Sequence, residues 1–193
     1  MHMLSKLTKS VDRDVQAVLQ KSLDGEELAF SDAMLLTAVR GRELRALTIV
    51  ADELRSRHVG DDVTYVVNRN INFTNVCIKA CHFCAFSRKI RAEDTYRLSV
   101  EAIVQRAVQA AEMGATEVCL QAGLAPDTDA EFYVGLVAAV REALPDIHLH
   151  ALSPEEIKHG ARQAGVTIRS FLTDLKRAGL GSLPGTSAEI LDN

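Results

Sequence analysis

Three of the four cysteines stand close together in the sequence, as Cys77, Cys81 and Cys84. Their C-x3-C-x2-C spacing lets one short loop direct three thiolates towards a single centre. A 4Fe-4S cluster normally takes four cysteine ligands, so three cysteines leave one iron free to bind another molecule. The residue types and their spacing therefore favour an iron-sulfur centre with one open coordination position.

Two other interpretations of the cysteine loop stay open. A structural zinc site needs four protein ligands; His82 is a candidate fourth, although its place between Cys81 and Cys84 is geometrically awkward. A C-x2-C pair also supports thiol exchange, which would leave Cys77 without a role. The fourth cysteine, Cys119, lies in an apolar strand pattern, and we expect it to be buried as a small hydrophobe.

Charge and composition exclude several classes of partner. The chain has 22 Lys and Arg against 26 Asp and Glu, a formal net charge of -4, and no basic stripe for a phosphate backbone, so nucleic acid is not expected. No apolar run reaches the roughly 20 residues that span a bilayer, and the N-terminus lacks a signal-peptide core. We expect a cytoplasmic protein with no membrane partner.

The first sixty residues have apolar side chains at helical spacing, and they predict a helical N-terminal extension over residues 1–60, with Ser31 capping one helix. After Gly60 the branched and aromatic run 63–67, continued through 68–73, predicts the first strand of a catalytic domain over residues 61–193.

Helical and strand patterns alternate beyond the cysteine loop, which predicts an α/β fold with a parallel sheet. Ser153, Pro154 and Glu156 combine an N-cap, a proline at the first helical position and a capping box, so a helix is expected to begin there. His148 and His150 alternate along a predicted strand and should share one face, either pointing into an active site or serving as structural histidines. The remaining predictions are helices ending near Gly114, Pro145 and Gly179, strands at 116–121 and 147–152, and a strand and turn at 180–185.

Five stretches of the sequence resemble a known family. Residues 65–77 with Cys81-His-Phe-Cys84-Ala-Phe, then 114–121 with 148–155, then 178–191, are similar to the radical S-adenosylmethionine (SAM) enzymes of deazaflavin and futalosine pathways. The similarity is strongest to the tyrosine-using subunit of FO synthase, and it runs from residue 30 to the end.

The resemblance implies an incomplete radical SAM partial TIM barrel, because the family has six βα units and the pattern supplies about three and a half. It also implies a 4Fe-4S cluster on Cys77, Cys81 and Cys84, and SAM as the ligand of the open iron. A deoxyadenosyl radical made from SAM would fragment L-tyrosine, and the hydroxybenzyl group would join 5-amino-6-(D-ribitylamino)uracil. The second FO synthase subunit would act on the product.

By the same resemblance, Phe83 lies near the adenine of SAM, while Gln121, Ala122 and Gly123 approach its methionine end. Glu189 either contacts SAM or completes a capping box that begins at Thr186. Relatives commonly read Gln-Gly-Gly-Leu-His-Pro where this chain has Ala122 and Ala125 in place of a glycine and the histidine.

The sequence also leaves the activity of this short chain open. A helix predicted at residue 186 has too few residues to finish, so a missing C-terminal half or self-association is expected to cover the open sheet. Aminofutalosine synthase shares the cysteine loop, and residues 68–75 favour the deazaflavin enzyme by resemblance. A third interpretation is a noncatalytic protein that binds iron-sulfur or zinc.

Overall fold

The computed structural model describes residues 11–79, 81 and 84–185, and the chain divides into two compact units, Met1–Thr64 and Tyr65–Asn193. The described part of the first unit contains three helices, as the helical pattern of the sequence predicts for those residues. Val15, Leu19 and Val50 form the centre of its apolar core. The helices are α1 (Arg13–Asp24), α2 (Phe30–Ala38) and α3 (Gly41–Val59).

The prediction that Ser31 caps a helix is wrong. Helix α2 begins at Phe30, so Ser31 lies inside its first turn and Ala29 is the N-cap. The backbone amide of Ala29 donates to the carboxylate of Asp32 at 3.1 Å, and the same carboxylate pairs with Lys21 at 2.8 Å. A side chain three residues into the turn thus satisfies an amide that the helix leaves free.

The second unit is a parallel three-stranded sheet in the order β1-β2-β3, with helices packed against it. Its core joins Leu120 and Leu149 of the sheet to Leu136 and Phe171 of the helices. This arrangement confirms the α/β prediction. The strands are β1 (Asn68–Asn72), β2 (Glu117–Gln121) and β3 (His148–Ala151), and the helices are α4 (Val100–Glu112), α5 (Ala130–Ala143), α6 (Pro154–Ala164) and α7 (Ile168–Ala178).

Two strand predictions were too long. Residues 63–67 are not part of β1, because its partner β2 begins opposite Asn68, at Glu117; Val63 is left 90% exposed. In the segment 180–185, Ser182 makes only an isolated bridge to His150. The capping box from Thr186 lies outside the described residues.

Helix α6 begins as the sequence predicts. Ser153 is its N-cap, Pro154 is its first residue, and Glu156 completes the capping box. The preceding residue, Leu152, has a left-handed φ of 64° although its side chain is fully buried. Among the described helices, none is long and apolar enough to cross a membrane.

Candidate active site

The cysteine loop follows β1 and lies at the carboxyl edge of the parallel strands, where α/β sheets bind their ligands. Cys77 and Cys84 are half-buried, Cys81 is exposed, and all three are free thiols. They line one cavity of about 250 Å³ together with residues 121–123 and the start of α6. The structure therefore brings the three predicted metal ligands and the predicted cofactor segment to one cavity.

Two buried polar side chains fix the chain that leads into Cys77. The Asn75 amide group donates to the carbonyl of Asp94 at 2.8 Å and its side-chain oxygen accepts from the amide of Tyr96 at 2.9 Å. The Thr74 hydroxyl donates to the Tyr96 carbonyl at 2.8 Å. These bonds anchor the first half of the loop to the returning chain.

Arg88 holds the second half of the loop. Its backbone amide donates to the Asn75 carbonyl at 2.7 Å, and its carbonyl accepts from the amide of Cys77 at 3.0 Å. Its guanidinium pairs with the Asp94 carboxylate at 2.5 Å, and this hydrogen bond lowers the pKa of Asp94 below its ordinary value. Backbone bonds at Asn75 and at Cys77 itself thus hold the chain that carries this thiol.

Residues 121–123 pack directly on the cysteine loop. The Gly123 amide donates to the Thr74 carbonyl at 2.9 Å. A Cβ atom at Gly123 would lie 2.3 Å from the carbonyl oxygen of Val76 and 3.1 Å from Cβ of Cys77. No side chain fits in that space, so glycine is required for this close approach.

Glu156 supports the same segment from the other side. Its Oε1 accepts from the amide of Ala122 at 3.1 Å, and its Oε2 accepts from the amide and hydroxyl of Ser153 at 2.7 and 2.8 Å. The side chain is buried, and burial raises the pKa of Glu156 to about 7 in spite of these donors. Sequence reasoning assigned Glu156 only a capping role, because a capping box gives no sign of the contact with Ala122.

The two departures from the family pattern fall on positions where alanine fits. Ala122 lines the cavity, and Ala125 is buried, with its carbonyl accepting from the ring Nε2 of His159 at 2.9 Å. Phe83 and Glu189 lie outside the described residues.

Cys119 is buried in β2, as the sequence predicted, and burial raises the pKa of its thiol. His148 and His150 share one face of the sheet, since both ring systems lie 2.7 Å from the hydroxyl of Ser182.

A parallel α/β sheet with a three-cysteine loop at its carboxyl edge defines a class of enzyme. Residues 71–192 match the Radical SAM superfamily, and the chain belongs to it. That superfamily membership implies a 4Fe-4S cluster and SAM.

Two curated relatives are similar over nearly the whole chain. The 5-amino-6-(D-ribitylamino)uracil--L-tyrosine 4-hydroxyphenyl transferase of Methanothermobacter thermautotrophicus is 48% identical over 176 residues, which cover 91% of this chain and 48% of the relative. The FO synthase of Streptomyces avermitilis is 48% identical over 184 residues, which cover 95% of this chain and 21% of the relative. The chain thus spans half the length, or less, of these relatives.

A solved structure supports the fold alone. The crystal structure of HydG, a maturase of the FeFe-hydrogenase, matches with a TM-score of 0.68 and 17% identity, over 92% of this chain and 38% of that chain.

Proposed function

We propose that this chain carries the cluster-binding and SAM-binding part of a radical SAM transferase that joins the hydroxybenzyl group of L-tyrosine to 5-amino-6-(D-ribitylamino)uracil. The observation that carries the proposal is the 48% identity to the transferase of that name over 176 residues, a stretch that includes the cysteine loop.

In this proposal Cys77, Cys81 and Cys84 hold the 4Fe-4S cluster. Three observations support the fit: the thiols are free, they line one cavity, and that cavity is partly open to solvent at Cys81. Three cysteine ligands leave one iron free to bind SAM. The cluster and SAM together would supply the carbon radical that reacts with the substrate.

Residues 121–123 are proposed to bind the methionine end of SAM. The bare backbone at Gly123 lets this segment lie against the cysteine loop, and the side chain of Gln121 lines the cavity. Glu156 keeps the Ala122 amide occupied, so that amide is held in place and is not itself a donor to the cofactor. Phe83 and Glu189 are proposed as further SAM contacts on resemblance only.

The substrates are proposed to bind over the face of the sheet that the helices leave uncovered. Register pairs place Asn70, Cys119 and His150 side by side on that face, and Asn72 beside Gln121 nearer the cysteine loop. A face with amide and imidazole groups offers hydrogen-bond partners to a uracil ring and to an amino acid.

The pocket is proposed to be completed either by a missing C-terminal half or by a second copy of this chain. The reason is that this chain spans 48% of its transferase relative. The second FO synthase subunit is proposed to act on the product. We also propose that residues 1–60 form a helical extension and residues 61–193 the catalytic domain.

The test is anaerobic iron-sulfur reconstitution of the full chain, then incubation with SAM, dithionite, L-tyrosine and the ribityl-diaminouracil. We expect 5'-deoxyadenosine and the coupled product. Serine at Cys77, Cys81 or Cys84 should abolish both, whereas His58→Ala, at an exposed position of α3, is the control and should retain them.

Each other outcome contradicts a stated part of the proposal. Deoxyadenosine without coupled product would refute the substrates. A cluster without SAM cleavage would refute activity of this chain alone, and colourless protein with bound zinc would refute the cluster.

A further inference from the structure

A second group of metal-binding side chains lies on the same sheet, at the end opposite the cysteine loop. Glu117 begins β2, His148 begins β3, and His150 follows on the same face. One ligand atom from each, a carboxylate oxygen and two ring nitrogens, lies within 4.8 Å of the other two. We propose that these three residues bind a divalent transition-metal ion of the Zn²⁺ type.

The sheet itself brings the ligands together. Glu117 and His148 are register partners in the parallel β2–β3 pair, and His150 lies two residues further along β3. Side chains two residues apart on a strand point to the same face. The spacing of the donors is thus fixed by the backbone ladder and does not depend on a loop.

Neighbouring residues orient two of the three ligands. The side-chain amide of Asn68 donates to Oε1 of Glu117 at 3.2 Å, and the other oxygen, Oε2, lies 3.9 Å from Nε2 of His148. A Cβ at Gly181 would lie 2.5 Å from Cε1 of His148, so the backbone packs closely against that ring. Such supporting contacts are typical of metal sites, where an outer partner holds each ligand.

The two imidazoles already point at one position. Nε2 of His148 and Nδ1 of His150 each lie 2.7 Å from the hydroxyl oxygen of Ser182. That hydroxyl can bind the ion as a fourth ligand or rotate away from it. Because that point is the Ser182 oxygen itself, an ion must lie beside it, at roughly 2.1 Å from each of the two ring nitrogens.

The donor set differs from that of the cysteine loop. Two imidazoles and one carboxylate suit Zn²⁺ and similar divalent ions, and contain no thiolate for an iron-sulfur cluster. Glu117 and Gln121 are the two ends of β2, so Glu117 lies about 13 Å along the strand from Gln121, and His150, the register partner of Cys119, lies about half as far from it.

The competing explanation is a hydrogen-bond network alone, in which the Ser182 hydroxyl joins the two imidazoles without an ion. Removing Ser182 distinguishes the two. In Ser182→Ala the hydrogen-bond network loses the hydroxyl that joins the two imidazoles, whereas the metal site keeps all three of its principal ligands.

The experiment uses the full chain with serine at Cys77, Cys81 and Cys84, so that cluster thiolates bind no metal. Titration with Co²⁺ should show one saturable equivalent of bound metal per chain, with the visible spectrum of Co²⁺ bound by nitrogen and oxygen ligands. Added Zn²⁺ should displace the Co²⁺ and remove that spectrum. Because this background lacks the proposed cluster ligands, the result is independent of the proposed function.

Variants in the same background decide the assignment. His148→Ala and Glu117→Gln should abolish the saturable metal binding. Asn68→Ala should lower the affinity for the metal about tenfold, and Ser182→Ala should still bind one equivalent. His58→Ala, at an exposed histidine of α3, should change nothing. Circular dichroism checks that each variant is folded. No saturable binding, or equal binding in folded His148→Ala and Glu117→Gln, would overturn the proposal.

Discussion

The carboxylate of Glu156 and the backbone amide of Ala122 are joined by a hydrogen bond of 3.1 Å. This bond connects the first turn of α6 to the segment that lies on the cysteine loop. A group that can carry charge is thus buried directly behind the residues proposed to hold SAM. Its protonation state should be measurable through the stability of the fold.

We predict that stability falls as pH rises from about 4.5 to about 7. The pKa of Glu156 is raised from 4.5 to about 7 in the folded chain, mainly by burial. Between these values the native state holds a proton that the unfolded state has lost, so the free energy of unfolding decreases, by about 3 kcal/mol in total. Urea unfolding across this range measures the slope.

Variants at two neighbouring glutamates test the assignment of this slope. Glu156→Gln should flatten it, because the titrating group is gone. Glu155→Gln is the matched control at an exposed position of the same helix turn, and it should keep the slope. An unchanged slope in Glu156→Gln would rule out Glu156 as the source.

We predict that Gly123→Ala greatly reduces the iron bound after reconstitution. The new Cβ would stand 2.3 Å from the Val76 carbonyl oxygen, so the backbone beside Cys77 must move. Gly135→Ala in α5 is the control, since a Cβ there meets nothing within 4 Å, and alanine in a helix is favourable by about 0.5–1 kcal/mol. Equal iron content in the two variants would contradict the close-approach argument.

We predict that Asn75→Asp destabilises the chain by about 2 kcal/mol. The substitution keeps the shape of the side chain but puts an oxygen where the Asn75 amide donates to the Asp94 carbonyl. Two acceptors then face each other in a buried position. Chemical unfolding gives the free energy, and Thr74→Ser, which keeps its hydroxyl bond to Tyr96, should cost much less.

We predict that Cys119 reacts with iodoacetamide far more slowly than Cys81 in cluster-free protein. Cys119 is buried, and burial raises the pKa of its thiol, whereas Cys81 is exposed. Peptide mass mapping of the alkylated cysteines gives both rates. The difference should disappear in urea; a difference that persists there would mean that local sequence, and not folding, protects Cys119.

Much of the fold could be predicted from the sequence, because the local signals agreed with the packing. The start of α6 is the clearest case: an N-cap, a first-position proline and a capping box all act within four residues. The first strand was predicted too long because branched residues at 63–67 favour a strand anywhere, but only a partner strand makes one. Local residue composition does not predict which distant segments pair as strands.

The cysteine loop could likewise be predicted from its spacing, whereas its supports could not. Nothing near Glu156 in the sequence indicates that its second oxygen reaches Ala122, 34 residues away. The same holds for Glu117 and His148, which are joined only by strand register. Contacts of this kind depend on how the elements are arranged, and the arrangement appears only in three dimensions.

Leu152 lies between strand β3 and helix α6, in a left-handed backbone conformation that L residues rarely adopt. Left-handed backbone costs a non-glycine residue roughly 1–2 kcal/mol, and the fully buried side chain is what holds it there. A smaller residue in the surrounding core would release that turn, and Ser153 and Glu156 would move together. Mutations in the core, at residues that never contact a substrate, would therefore also change the shape of the cavity beside the cysteine loop.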